Sequence, residues 1–242
     1  MSRIDPAHLE AGATVLLEGL ETPADAAGRV AASLVDADRC GHGSHGVVRL
    51  ATMYAPMVAA GTLDPTATST VDDADLGALR VDGNRGFGQL TARVAVDAAA
   101  AVAEDRGTAT VGVKNGAHMG RIGEWAERAG VVGDGEVFGE GPSGSVNNAA
   151  VCVLIDPIRF TSRGRIREAV RAFDGYLADA TLSPAVDRPD AMDGDRPLLP
   201  GAPEHLTRER RDREGVPVGD RTLDALTALA SDLGAADAFP LG

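Results

Sequence analysis

Apolar positions recur at helical spacing through the first sixty residues, and then the rhythm changes. In "DPAHLEAGATVLLEGLE" (5–21), Leu9, Val15, Leu16 and Leu20 follow a helical repeat, with Asp5 as N-cap and Pro6 in the first turn. "TPADAAGRVAASLVDADRCG" (22–41) repeats the device with Thr22 and Pro23 and stops near Gly41. A third helix is expected to start at Ser44 and run toward Gly61, kinked or shortened by Pro56.

The middle of the chain alternates. "LGALRVDG" (76–83) reads as a strand, "GQLTARVAVDAAAAVAEDRG" (88–107) as an Ala-rich helix, "ATVGVKN" (109–115) as a short β-branched strand and "GRIGEWAERAG" (120–130) as a helix. Strand, helix, strand, helix is the grammar of an α/β layer. The glycine-rich stretch 130–148 then shows little periodicity, and a structureless connection of that length usually signals function, disorder or missing sequence. A strand (149–156), a helix (157–180), a Pro- and Asp-rich link (183–203), a charged helix and a last amphipathic helix (221–234) follow. The expected architecture is α/β: N-terminal helices plus a mixed sheet layered with helices. Its parts are a helical region 1–72, a shortened central α/β region 73–148 and a C-terminal strand-plus-helices region 149–242.

Composition narrows the function. Net charge is −13, and Lys114 is the only lysine. Such an acidic, Arg-based surface suits a salt-rich cytoplasm and argues against nucleic-acid binding, which needs a basic stripe. The one basic cluster, "TRERRDREG" (207–215), alternates with acids and reads as a solvated helix face. No apolar run approaches a membrane span and no signal peptide is read, so a cytoplasmic location is expected. Two distant cysteines, Cys40 and Cys152, fit a reduced protein.

Three places could carry chemistry. Cys40, His42 and His45 supply soft ligands for zinc, with His118 as a conceivable fourth, but the spacing is unusual. "DGNRGFGQL" (82–90) sits where phosphate loops live, yet Gly83, Gly86 and Gly88 do not follow the dinucleotide fingerprint, and a tight turn with close backbone packing is the preferred reading. The third combines "SHGVVRL" (44–50) with "KNGAHMG" (114–120). On a helix begun at Ser44, His45 and Arg49 share a face, and Arg49 offers a fork suited to a carboxylate. His118, between a strand and a helix, could exchange a hydroxyl proton near neutral pH. Clamp plus proton acceptor is what oxidation of a 2-hydroxy acid needs from a protein, the hydride acceptor being a cofactor. Histidines at helix starts are also commonly structural, and the residues alone leave that open.

"DADRCGHGSHGVVRL", "VDGNRGFGQLTARVAVDAA", "VGVKNGAHMGRIGEWAERAG" and "NNAAVCVLIDPIRF" together resemble, in order, segments of the malate/L-lactate dehydrogenase family, and "PLLPGAPEHLTRERRDREGVPV" resembles its closing segment. The Ser-His-Gly…Arg and Asn-x-x-His-x-Gly segments are the specific part of the match. The resemblance implies a non-Rossmann, NAD- or NADP-dependent enzyme, a homodimer acting on a small carboxylic acid. It implies His118 as general acid/base with His45 beside it, and Arg49, Ser44 and Asn115 around the substrate, with no metal. After "AERAGVVG" the family continues with a further strand and a long region that supplies much of the cofactor site. Here the chain passes directly to "EVFGEGPSGSVNNAA". The central domain is therefore expected to be truncated, with the cofactor-binding residues mostly in the missing region and a remnant without turnover as the alternative to an active enzyme.

Overall fold

The computed structural model describes residues 1–73, 78–132, 148–180 and 197–241. Strand β1 (Ser2–Ile4) leads into helix α1 (Pro6–Gly19), where the Asp5 carboxylate accepts from the Ala7 and His8 amides as expected. Helix α2 (Ala24–Arg39) begins one residue later than predicted. Pro23, not Thr22, is its N-cap, and no side chain caps it. Thr22 is buried with its Oγ1 unpartnered among the described residues, so it fills space instead of capping.

The continuous helix expected from Ser44 is corrected. The chain makes a 3₁₀ turn (Gly43–His45), breaks at Gly46, takes a π-helical turn (Leu50–Tyr54) and ends in the short helix α3 (Ala55–Ala59). Pro56 lies in the first turn of α3, where its missing N–H is harmless. Ser44 caps nothing. The capping is done by Asp38 on α2, whose Oδ2 accepts the Val47 amide at 2.8 Å. Gly46 backs onto that same carboxylate so closely that an added Cβ would overlap it. The break at 46 is therefore imposed by tertiary contact, which no local rule could reveal.

Strands β2 (Thr70–Asp73) and β3 (Ala78–Asp82) form an antiparallel pair. The expected first strand is β3, and β2, wholly exposed, had no apolar alternation to announce it. Helix α4 (Gly88–Arg106) then crosses to β4 (Thr108–Gly116), which runs parallel to β3. Helix α5 (Ile122–Val132) precedes β5 (Asn148–Ile155), antiparallel to β4, which gives a mixed sheet of order β2-β3-β4-β5. On β4, Ala109, Val111 and Val113 alternate inward while Thr108, Thr110 and Lys114 face out. The inward row packs on Ala95, Val96 and Ala99 of α4 and on Trp125 of α5. Small residues on α4 let helix and sheet approach closely.

The predicted helix 157–180 is divided: a 3₁₀ turn (Pro157–Arg159), then α6 (Arg163–Ala178) capped by Ser162, which accepts from the Arg165 amide. No residue of α6 is buried. Helix α7 (Ala202–Glu214), strand β6 (Val216–Val218) and helix α8 (Asp220–Asp232) complete the described chain. Strand β6 pairs antiparallel with β1, a ladder too short to carry a pattern in sequence. Val216, Val218 and Leu226 join Leu9, Leu16 and Leu34 in a second core. The glycine-rich stretch falls largely, and the Pro- and Asp-rich link mostly, outside the described residues. Among the described residues, no helix is long and apolar enough to cross a membrane.

The 207–215 cluster is only partly the solvated face expected: Glu209, Asp212, Arg213 and Glu214 are exposed, while other members turn to neighbouring helices. Arg208 reaches Asp36 and Glu127, Asp212 holds Arg39 through two 2.6 Å hydrogen bonds, and Arg211 donates to the Asp38 carbonyl. Helix α7 thus clamps α2 through ion pairs. Charge alternation alone does not say whether acids answer neighbours in sequence or partners across a helix interface.

Gly46→Ala should lower stability by about 1–3 kcal/mol, the usual cost of forcing a methyl into a packed site. Urea denaturation reads this directly, and an unchanged midpoint would mean that Asp38 does not occupy that space.

Candidate active site

Two loops meet beside the N-terminal core. One carries Ser44, His45 and Arg49. The other, between β4 and α5, carries His118. The second loop is held by backbone contact: Gly88 at the start of α4 lies against the carbonyls of Ala117 and His118 with no room for a Cβ, and Gly83 packs on the Asn115 carbonyl. The 83–88 turn is consequently filled by its own chain. The preferred sequence reading, close backbone packing, describes it.

His45 and His118 stack with ring centroids 5.1 Å apart and planes 29° apart. Ser44 Oγ lies 3.0 Å from His45 Nδ1, and Arg49 Nε donates to the Ser44 carbonyl at 2.6 Å. His45 and Arg49 do not share a helix face, because the chain breaks between them at Gly46. They converge because Arg49 folds back onto the turn. The single Nε contact leaves the guanidinium's two Nη ends for another acceptor.

His118 is half-buried, and its two ring nitrogens differ. Nδ1 accepts the Gly120 amide at 3.2 Å and faces the Tyr54 hydroxyl at 3.3 Å. A backbone N–H can only donate, so Nδ1 must present its lone pair, and the neutral ring carries its proton on Nε2. That Nε2 is buried and has no partner among the described residues. An unpartnered buried donor beside a cationic fork is the strongest local sign of a ligand site. Burial, then Arg49, then His45 drive the His118 pKa down from 6.5 to about 4, and His45 is lowered by burial, Arg49 and His42.

The other residues considered from sequence go elsewhere. Asn115, at φ +54°, donates through Nδ2 to both Asp82 carboxylate oxygens, so its side chain serves the end of β3. Cys40 Sγ faces Asp36 at 3.8 Å; the His42 ring lies edge-on to His45 with centroids 6.5 Å apart, but its Nε2 faces Glu204 at 3.4 Å. Both cysteines are free thiols. Among the described residues, no group of three or more His, Cys, Asp or Glu could hold a metal ion.

Three residues escaped the sequence reading. Tyr54 is fully buried, receives Gln89 Nε2 at 2.6 Å and reaches His118. Its signal was a hydroxyl-bearing aromatic in an apolar helical run of a chain with two tyrosines. Gln89, 2% exposed, had the weaker signal of an amide in an Ala-rich helix. Asp38 could have been noticed only as an acid in an otherwise apolar position of α2. Burial pushes its carboxyl up to about 7, against the lowering effects of the Val47 amide and Arg211.

The malate/L-lactate dehydrogenase family pattern matches residues 4–133, more than half of the chain. The protein belongs to the malate/L-lactate dehydrogenase family, a family of oxidoreductases. Its curated relatives include an L-lactate dehydrogenase of Cupriavidus necator, 34% identical over 119 residues that cover 49% of this chain and 34% of that protein. Hydroxycarboxylate dehydrogenase B of Escherichia coli K12 is 36% identical over 105 residues, 43% of this chain and 28% of that protein. The chain therefore matches about a third of the length of these relatives. Among solved structures, malate dehydrogenase from Entamoeba histolytica superposes with a TM-score of 0.82 at 14% identity, covering 96% of this chain and 98% of that one. Sulfolactate dehydrogenase from Methanocaldococcus jannaschii gives 0.80 at 14%, covering 96% and 98%. At these identities the likeness is one of fold.

Two measurements test the electrostatics. The folded Asp38 carboxyl keeps its proton up to about pH 7, whereas the unfolded one releases it near 3.8. The folded chain binds the extra proton between those values, so this group's contribution to stability falls as pH rises through that window. Asp38→Asn should flatten that part of the stability–pH curve, as read by urea unfolding at several pH values. Separately, Arg49→Gln should raise the His118 midpoint from about 4 toward 6.5 in a histidine NMR titration. No movement would remove Arg49 from the His118 environment.

Proposed function

We propose that this chain carries the substrate half of a 2-hydroxyacid dehydrogenase site. Arg49 takes the carboxylate, and His118 handles the proton at the adjacent hydroxyl or carbonyl oxygen. His45 forms the wall stacked on His118, and Ser44 anchors Arg49. The observation that carries this reading is the buried, unpartnered His118 Nε2 beside the Arg49 fork.

The hydrogen bonds at Nδ1 favour a definite role. The neutral ring donates Nε2–H to a substrate carbonyl oxygen and stabilises the charge that develops there as the carbonyl is reduced. Burial is the main cause that keeps His118 neutral, and a bound carboxylate neutralises Arg49, the next cause, so a second proton on the ring becomes easier to hold. The Tyr54 hydroxyl is the partner at Nδ1 able to reverse, from donating to accepting, when that proton arrives. Full proton transfer thus follows substrate binding. In the empty site His118 stays neutral at ordinary pH.

The family's hydride carrier is NAD or NADP. Among the described residues the glycine turn that might have cradled its phosphates is filled by its own backbone. The proposal is accordingly confined to the carboxylate and the proton. The same observation, with the short match to curated relatives, supports a second reading: a chain that binds a small hydroxy or keto acid without turnover. Homodimerisation belongs to the family reading and is tested by sedimentation.

NAD(P)H oxidation with pyruvate or oxaloacetate separates the two readings. If the enzyme reading holds, Arg49→Gln should raise KM for the keto acid about 100-fold, and His118→Gln should remove kcat. If neither cofactor changes its fluorescence up to millimolar concentration while the keto acid still binds through Arg49, the second reading stands. Keto-acid binding indifferent to Arg49→Gln would sink both.

A further inference from the structure

The Tyr54 hydroxyl is enclosed by protein on every side. Tyr54 is 0% exposed and ends the π-helical turn (Leu50–Tyr54), an irregularity common beside functional groups. Its oxygen has two neighbours among the described residues. Gln89 Nε2, in the first turn of α4, donates to it at 2.6 Å, and His118 Nδ1 lies 3.3 Å away. Burial pushes the hydroxyl's pKa up, so Tyr54 keeps its single proton throughout the range in which histidines titrate. That proton can turn toward the histidine or toward the amide, and it has no contact with bulk solvent.

With the amino end of Gln89 facing it, the hydroxyl accepts from the amide and points its proton at His118 Nδ1. This arrangement suits the neutral ring. A second proton on His118 reverses the demand, because Nε2 already carries one and the newcomer must sit on Nδ1. The new N–H needs an acceptor, and the Gly120 amide, a fixed donor, cannot serve. The Tyr54 oxygen can, but its own proton must then turn to its other neighbour, the Gln89 amide. An amino group cannot receive it, whereas a carbonyl can.

Gln89 holds such a carbonyl in reserve. The residue is 2% exposed, and its Oε1 is buried without a partner among the described residues. A buried acceptor with no donor calls for an explanation. Half a turn about the last side-chain bond exchanges the two ends of the amide. They are so alike in size that the exchange needs no added space.

We propose that Gln89 is a positioning residue whose amide orientation is locked to the charge of His118. Its amino end faces Tyr54 when the ring is neutral, and its carbonyl end faces Tyr54 when the ring holds two protons. The unpartnered Oε1 is the acceptor that the charged state uses. Reversal of Tyr54 alone would strand a buried hydroxyl proton; reversal of Tyr54 and Gln89 together strands none. For its purpose this inference rests on the proposed role of His118, but the coupling operates without substrate. The charged and titratable groups nearby act on it differently. Arg49 and His45 oppose the second proton from the facing loop, His42 lies beyond His45, and Glu124 of α5 acts on Tyr54. None of them hydrogen-bonds to the Tyr54 hydroxyl, so they move the His118 midpoint without choosing the direction of the amide.

NMR titration of the ¹⁵N-labelled full chain, with neither cofactor nor keto acid, tests the coupling. The Gln89 side-chain amide signals should shift with the same midpoint as the His118 ring, about 4. In Arg49→Gln the two midpoints should rise together. In Tyr54→Phe, which keeps the aromatic ring and removes the hydroxyl, His118 should still titrate while the Gln89 signals cease to follow it. Circular dichroism at each pH confirms that the chain is folded. Gln89 signals that stay still while His118 titrates in the unaltered chain would overturn the proposal. So would Gln89 signals that still follow His118 in Tyr54→Phe, or midpoints that part company in Arg49→Gln. Keto-acid binding is read separately, and its absence would sink the hydroxy-acid reading alone.

Discussion

The structure turns on one buried carboxylate. Asp38 sits inside the helical layer, accepts the Val47 amide and presses against the bare Cα of Gly46. A helix cannot run past that point, so the chain breaks, and the break sets His45 on one side and Arg49 on the other. Because Arg49 then folds back on the Ser44 carbonyl, both side chains end on the same side of the turn. Burying a carboxyl is expensive, and the raised Asp38 pKa records the expense. What the cost returns is an irregular loop of fixed shape, made from residues that on their own would have formed a plain helix.

The same economy governs His118. Its ring is neutral at ordinary pH because desolvation and two cationic or cationisable neighbours oppose a further charge. Tyr54 and the Gly120 amide then decide which nitrogen holds the proton. Position comes from backbone contacts, tautomer from hydrogen bonds and protonation from charge, so each property of the histidine has its own structural source.

Much of this was legible in the sequence. The Asp5 cap, the Ala-rich helix between two strands and the alternation along 109–115 follow from local rules, and the structure follows them. His45, Arg49 and His118 stand out in the sequence and do come together, but His45 and Arg49 meet through a folded-back turn and not through the helix face their spacing suggests. What local rules could not supply was decided across distance: Thr22 was displaced as a cap by Pro23, the Ser44 helix was broken by Asp38, and Arg208 and Arg211 turned inward to α2. Strands β1, β2 and β6 are too short or too exposed to carry periodicity. The lesson lies in polar residues within apolar stretches. Asp38, Tyr54 and Gln89 each looked incidental, and each makes a contact on which the site depends.

The packing of Gly88 against the His118 carbonyl has a consequence for how such a site can diverge. The histidine is seated on main chain, so its location is insulated from almost every substitution around it. Selection can change the acidity, proton placement or charge partners of the imidazole by altering Tyr54, His45 or Arg49 and leave its coordinates untouched. A lineage built this way explores new chemistry by rewiring a fixed point, and pays for it with a glycine it can never give up.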